Sequence, residues 1–232
     1  MIFRAFRLSV QQLGDPRFRR VLWLGVGLSL ALLIMATAGL IALVQVTLSD
    51  EVGLPIIGPV TWLDDILSIG SVFVMLALSV FLMVPVASAI TSMFLETVAQ
   101  AVEDRHYRHL PPAQPVPLSD AIRDTISFMG VLIGANLLAL VLYVLFAPAS
   151  PFIFWGLNGF LLGREYFTLA AMRRVGRTQA KALRKAHMGK IWIAGILMAI
   201  PLSIPIVNLL IPVLGAATFT HIFHAVSART RA

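Results

Sequence analysis

The chain has 232 residues, of which 59% are hydrophobic and only 12% charged, with a formal net charge of +7. Soluble domains carry about 25% charged residues, so this composition excludes an ordinary soluble domain. The apolar runs are long and unalternating, which disfavours a barrel and predicts an all-α polytopic membrane protein that forms a single domain over residues 1–232. The positive charge lies beside those runs, which indicates anionic membrane lipids rather than nucleic acid as its partner. Without cysteine, disulfides, thiolate metal sites and cysteine nucleophiles are excluded.

Residues 1–13 predict a short amphipathic helix that lies in the membrane interface. Phe3 and Phe6 share one helical face with Val10 and Leu13, and Arg4 and Arg7 lie on another. A signal peptide is the competing interpretation, but its apolar region would begin only after a long basic lead-in.

Two long transmembrane helices are predicted next. Residues 21–48 carry no charge and make roughly 42 Å of helix, more than the ~30 Å hydrocarbon core. A second apolar run covers residues 66–95, with Pro85 as the expected kink. Between them, Pro55, Gly58 and Pro59 predict an irregular loop.

The two later apolar stretches are broken by proline. Residues 126–162 are interrupted at Pro148–Pro151, and residues 191–226 at Pro201, Pro205 and Pro212. Because the pieces are too short for two complete crossings each, we predict two partly penetrating helical hairpins that turn near Pro148–Pro151 and Pro201–Pro205. Such hairpins are equally compatible with a substrate path and with a purely structural, partly inserted segment.

The basic residues predict the orientation in the membrane. The segments 1–20, 96–125, 163–190 and 227–232 carry all eighteen Lys and Arg residues, whereas the loop at 49–65 carries none. The positive-inside rule therefore places both termini in the cytoplasm and the 49–65 loop outside.

The turn from Asp15 to Arg20 is the best candidate anion site. It opens a helix, whose first backbone N–H groups and positive dipole end attract anions, and it carries Arg17, Arg19 and Arg20. A topology anchor without a ligand would explain the same arginines.

The basic segment 163–190 is predicted as a cytoplasmic helix. Arg173, Arg177, Lys181 and Arg184 would share one face if Gly176 does not break it, either against anionic headgroups or as a vestibule for an anionic solute. Arg164 and Glu165 would end a half-length helix and form a local ion pair. The residues predicted to line a path, or to serve packing alone, are Asn136, Asn158, Arg164, Glu165 and Asn208.

No catalytic or metal site is predicted. His221 and His224 are three positions apart, but no third ligand has suitable spacing, and an interfacial position at a helix end explains them better. The sequence has no P-loop, GxSxG, HExxH or dinucleotide-binding motif, so we expect no enzyme activity and no cofactor.

The segments NGFLLGREYF at 158–167, AAMRRVG at 170–176 and IPLSIPIVNLLIPVLGAATFTHIFH at 200–224 closely resemble bacterial members of the CysZ-like, etoposide-induced-protein-like membrane family. The resemblance implies an inner-membrane protein of the sulfate-transporter type that feeds cysteine synthesis, with two long helices, two short hairpins and a homo-oligomeric assembly. In sulfate-transporting members a Gly-Leu-Arg turn before the first long helix holds the anion. Arg19 and Arg20 are the closest counterparts here, although the Gly-Leu pair is absent.

Two functions remain open. The favoured hypothesis is an anion permease, for sulfate, in which Arg17, Arg19 and Arg20 hold the anion at the cytoplasmic mouth. The alternative is a non-transporting membrane scaffold that binds lipid or a partner through its basic cytoplasmic face.

Overall fold

The computed structural model describes residues 1–48, 53–54, 58–59, 95–204, 207 and 210–230. The chain divides into two compact units, one formed by residues 1–23 and 91–232 and the other by residues 24–90. Most of the predicted helix at 66–95, Pro85, Pro205 and Asn208 lie outside the described residues.

Helices dominate the described chain, as predicted. They are α1 (Ile2–Gln11), α2 (Pro16–Leu48), α3 (helical over 95–106), α4 (Leu118–Leu145), α5 (Ser150–Ala186), α6 (Met188–Ala199) and α7 (Ile211–Thr230), with 3₁₀ turns at Ala147–Ala149 and Ile200–Ser203.

In the smaller unit, the loop predicted to be irregular contains a two-residue antiparallel ladder. Strands β1 (Gly53–Leu54) and β2 (Gly58–Pro59) pair Gly53 with Pro59 and Leu54 with Gly58. Elsewhere the regular structure of the described residues is helical, as the all-α prediction expects.

The larger unit has its core around α5 and α7. Its largest fully buried apolar side chains come from α2, α5, α6 and α7: Phe18, Phe167, Met198, Phe219 and Ile222. Helix α1 packs along α7. It does so through a third face, on which Ala5 and Ser9 are buried, so Phe3 remains exposed for the membrane interface that the sequence predicts.

Helices α5 and α6 touch backbone to backbone because three glycines meet at their crossing. A Cβ at Gly195 would overlap the carbonyl oxygen of Gly159, and a Cβ at Gly159 would lie 2.6 Å from the backbone nitrogen of Ile196. A Cβ at Gly163 would lie 2.7 Å from the carbonyl oxygen of Ile191. Gly159 and Gly163 therefore act as a small-xxx-small pair, which lets two membrane helices approach closely.

Helix α4 and the first part of α5 form the first predicted hairpin, which turns at Ala147–Ala149. Helix α4 is long and apolar enough to cross a membrane, and almost none of its candidate span is buried within the protein. Helix α5 does not end at Gly163–Arg164–Glu165, as predicted, but continues past these residues. The predicted helix end at this charged step is therefore wrong, since the step lies within the helix.

The second predicted hairpin covers α6 and α7, and a 3₁₀ turn at Ile200–Ser203 follows α6. Helices α5 and α6 bend by 86° at their junction. In α7, Ile211–Ala228 is a second segment able to cross a membrane by length and composition, and most of it is buried. Counting a bent helix pair as one span, the described residues hold two or three candidate crossings.

Candidate anion site and buried charge network

The turn between α1 and α2, the predicted anion site, is fixed from the protein interior. Gln12 is fully buried, and its Nε2 donates to the carbonyl oxygen of Ala101 at 3.0 Å and to Asp15 Oδ2 at 3.2 Å. Asp15 Oδ1 accepts the backbone N–H of Arg17 at 2.9 Å. Asp15 is thus the N-cap of α2, with Pro16 in the first helical position.

The three predicted anion-binding arginines are not equivalent. Arg17 Nη1 lies 2.6 Å from Asp104 Oδ2, and its Nε lies 3.8 Å from Asp15. The hydrogen bond from Arg17 lowers the pKa of Asp104. Arg19 and Arg20 are exposed, and neither has an ion pair or side-chain hydrogen bond to the described part of the chain.

This geometry changes one part of the prediction. The helix terminus was expected to offer its N–H groups to an anion, but the carboxylate of Asp15 already accepts one of them. An anion at this turn would therefore meet the guanidinium groups of Arg19 and Arg20 rather than the end of α2.

Glu103 is the centre of a buried charge network that joins α3, α5 and α7. Its side chain is 2% exposed. Arg174 donates to both of its oxygens, from Nε at 2.9 Å and Nη2 at 2.7 Å, and Arg173 Nη1 lies 3.4 Å away. His224 Nε2 lies 2.9 Å from Oε1. Burial alone would raise the pKa of Glu103, but the hydrogen bonds from His224 and Arg174 and the nearby positive charges outweigh it and lower the pKa to about 2.

Aromatic and imidazole rings extend this network. The hydroxyl of Tyr107 lies 2.9 Å from His221 Nδ1, and its ring centroid lies 4.2 Å from that of His224. The ring of His106 packs edge-on against His221 at 4.9 Å. Burial raises the pKa of Tyr107 and lowers that of His106. His221 and His224 thus belong to an interior network between α3 and α7, and both lie within α7 rather than at its end.

Gly176 breaks α5, so the predicted basic face does not form as one stripe. Gly176 has φ 73° and ψ 169°, a conformation open to glycine and costly for other residues. Arg184 Nη1 donates to Thr168 Oγ1 at 2.9 Å although the residues are 16 positions apart, which would be about 24 Å in a straight helix. The chain therefore folds back after Gly176. Arg173 binds Glu103, while the basic residues after the break face elsewhere.

Those later basic residues form a second site with Arg164, which we call the cationic cluster: Arg164, Arg177, Lys181 and Arg184. Asp124 of α4 lies within it, 3.9 Å from Arg177 Nε and in electrostatic range of Arg164, Lys181 and Arg184. Glu165 also lies within electrostatic range of Asp124. Four cations against at most two carboxylates leave an excess of positive charge.

The polar residues predicted to line a path have mostly local contacts. Asn136 donates to the carbonyl oxygen of Leu132 at 2.8 Å, and Asn158 donates to that of Phe154 at 2.9 Å. Glu165 is half-buried and forms no ion pair with Arg164. Arg164 instead donates to Ser127 of α4, at 3.2 Å to Oγ and 3.3 Å to the carbonyl oxygen.

Glu103 and Tyr107 were not singled out from the sequence. One signal points to Glu103: it continues the i, i+4 row of Leu95 and Ala99, which are buried, and so lies on a buried helical face. A buried carboxylate needs a cationic partner, and the basic segment at 163–190 supplies it. Among the described residues, no three His, Asp or Glu side chains cluster as metal ligands.

The long apolar helices define a multi-pass α-helical membrane protein. Its basic side chains lie in the polar segments, some in ion pairs with carboxylates and some without a partner among the described residues. The chain belongs to the family described as Sulfate transporter CysZ/Etoposide-induced protein 2.4, whose model matches residues 4–212. This match confirms the resemblance seen in the sequence. The chain matches no curated protein and no solved structure.

Proposed function

We propose that this chain is an anion permease that takes up sulfate for cysteine biosynthesis without hydrolysing ATP. The family membership supports a transporter of a small anion. The observation that carries the site is the pair Arg19 and Arg20, which are exposed and unpaired within the described chain, one helical turn from a rigidly held N-cap. Guanidinium groups bind tetrahedral oxyanions through charge-assisted hydrogen bonds, and Arg19 and Arg20 place two of them at the start of α2.

In this proposal the anion is bound at the cytoplasmic mouth, and the two hairpins line its path within a homo-oligomer in the bacterial inner membrane. Arg17 is a supporting residue rather than a ligand, because its guanidinium is engaged by Asp104. Asn136, Asn158 and Arg164 remain candidates for the path. Both termini face the cytoplasm, so a periplasmic reporter fused after Pro55 is expected to be active, and a cytoplasmic readout there would contradict this orientation.

The test is uptake of radiolabelled sulfate into proteoliposomes. The variant Arg19→Ala/Arg20→Ala is expected to lose most of the flux, since each charge-assisted contact to an anion is worth about 1.5–3 kcal/mol. The matched control is Arg105→Ala/Arg123→Ala, which removes two exposed arginines outside the turn.

The two variants distinguish loss of the anion site from a general loss of positive charge. Wild-type flux above empty liposomes, lost in the Arg19/Arg20 variant and kept in the control, supports the permease. Flux no higher than in empty liposomes, or an equal loss in both variants, contradicts it.

A second function has its own structural support. Asp15 occupies the end of α2 and Arg17 is paired, so the turn carries less free positive charge than its sequence suggests. This favours a non-transporting membrane scaffold that binds lipid or a partner through its basic cytoplasmic face. Absent sulfate flux with retained binding of the protein to anionic vesicles would support that function.

A further inference from the structure

An apolar groove of about 670 Å³ lies between α4, α5 and α6. Its size falls within the range of about 300–1,000 Å³ typical of small-molecule sites. Along α4 the groove extends from Val131 to Leu142, which is about 16 Å of helix, or half of the ~30 Å hydrocarbon core. This length corresponds to the acyl region of one leaflet. The groove is also lined by Ile153, Leu157, Phe160 and Trp192.

One end of this groove adjoins the cationic cluster. Val131 is four residues from Ser127 on α4, and Phe160 is four residues from Arg164 on α5, so the groove ends one helical turn from the Arg164–Ser127 hydrogen bond. The buried Nε of Arg177 lies 3.9 Å from Asp124 Oδ1, which is too far for a hydrogen bond, and neither atom has a hydrogen-bond partner within the described residues. A charged end and an apolar body are thus continuous along one hairpin.

We propose that this groove and the cationic cluster together bind one anionic phospholipid, with an acyl chain against α4 and α5 and the headgroup phosphate at Lys181, Arg184 and Arg177. The excess positive charge of the cluster matches the phosphate, and the apolar lining matches the chain. This site is distinct from the Arg19–Arg20 turn, and it does not depend on whether the protein transports sulfate.

Charge and shape favour a lipid over the other occupants. A free oxyanion would use the cationic cluster but leave the groove without an occupant. A second copy of the chain would have to place an acidic group beside the cluster, yet this chain has only 11 acidic residues against 18 Lys and Arg. An anionic phospholipid satisfies both parts of the site.

The experiment is native mass spectrometry of the protein in micelles that contain equal amounts of phosphatidylglycerol and phosphatidylcholine. Lys181→Gln/Arg184→Gln removes two headgroup contacts, and Gly134→Leu fills the groove at a position where an added Cβ meets nothing within 4 Å. The matched controls are Lys185→Gln/Lys190→Gln, two exposed lysines outside the cluster, and Gly130→Leu, one turn away on α4 and outside the groove.

The wild type is expected to retain phosphatidylglycerol preferentially. The Lys181/Arg184 variant should lower this preference about 30-fold, since each basic contact adds about 1 kcal/mol to binding of anionic lipid. Gly134→Leu should abolish retention of both lipids, and the two controls should behave as wild type. Arg184→Gln also loses the hydrogen bond to Thr168, so Lys181→Gln alone serves as a second variant. It breaks no side-chain hydrogen bond to the described residues and should lower the preference about fivefold.

Three results would overturn the proposal. Equal retention of both lipids by the wild type would show that the cluster does not recognise the headgroup. Displacement of phosphatidylglycerol by millimolar sulfate would assign the cluster to a free oxyanion. A change of Gly134→Leu from oligomer to monomer, with lipid retention unaltered, would assign the groove to a second copy of the chain.

Discussion

Arg174 donates two hydrogen bonds to Glu103, from Nε to Oε1 at 2.9 Å and from Nη2 to Oε2 at 2.7 Å, across 71 positions of the chain. This bidentate pair fastens α5 to α3 in the interior of the larger unit. Because His224 of α7 contacts the same carboxylate, one buried residue connects three helices.

Replacing Glu103 by Gln is therefore expected to destabilise the fold strongly. The variant leaves the guanidinium groups of Arg173 and Arg174 buried without a counter-charge, which costs about 3–5 kcal/mol when a buried pair is broken. Denaturation of the detergent-solubilised protein measures this free energy of unfolding. The control is Asp104→Asn, the neighbouring exposed pair with Arg17, for which a loss of at most about 1 kcal/mol is expected. A similar small loss in both variants would contradict the role of Glu103.

The same carboxylate predicts how stability changes with pH. Its pKa is lowered from 4.5 to about 2 in the folded protein, so the folded state holds the charged form more strongly than the unfolded chain does. The stabilisation is therefore complete above pH 4.5 and is lost as the pH falls through 2. Unfolding measured between pH 6 and pH 2 should show this decline in the wild type and a flatter dependence in Glu103→Gln. An unchanged slope in the variant would assign the acid sensitivity to other groups.

Part of this architecture could be predicted from the sequence, and the limits have physical causes. The proline break at 147–151 predicted the first turn correctly because proline interrupts helices wherever it falls in their interior. Arg164 and Glu165 suggested a helix end, since ions in apolar sequence usually mark an interface, but Ser127 satisfies Arg164 within the helix pair. Glu103 was missed because its partners lie 70 or more positions away.

Gly176 tests whether the fold-back in α5 depends on glycine. Gly176→Ala forces a side chain into φ 73° and ψ 169°, an essentially glycine-only conformation that costs about 1–3 kcal/mol, although the added Cβ would meet no neighbouring atom of the described residues. The control is Gly189→Ala in α6, which also has open space but an ordinary helical backbone. Thermal unfolding should show a lower midpoint for Gly176→Ala and an equal or higher one for Gly189→Ala. Equal midpoints would mean that the chain can pass this break without a left-handed residue.

At the crossing of α5 and α6, we expect stability to depend on side-chain volume rather than on backbone conformation. Gly195→Ala places a methyl group against the carbonyl oxygen of Gly159, so the helices must separate. Overpacking of this kind costs about 1–3 kcal/mol. Gly156→Ala on the adjacent turn of α5 meets nothing within 4 Å and should be nearly neutral. A neutral Gly195→Ala variant would contradict the close approach.

Sulfate binding by an Asp15→Asn variant distinguishes the permease hypothesis from the scaffold hypothesis. Asp15→Asn keeps an N-cap of similar strength, since Asn and Asp cap helices about equally, but removes the negative charge beside Arg19 and Arg20. If these arginines hold sulfate, the variant should bind it several-fold more tightly, because one charge near a surface site contributes about 1 kcal/mol. Equilibrium binding of radiolabelled sulfate to the purified protein measures this, with Asp120→Asn in the first turn of α4 as the matched control. Tighter binding in Asp15→Asn alone supports the permease, and equal affinity in wild type and both variants means that sulfate does not bind at this turn.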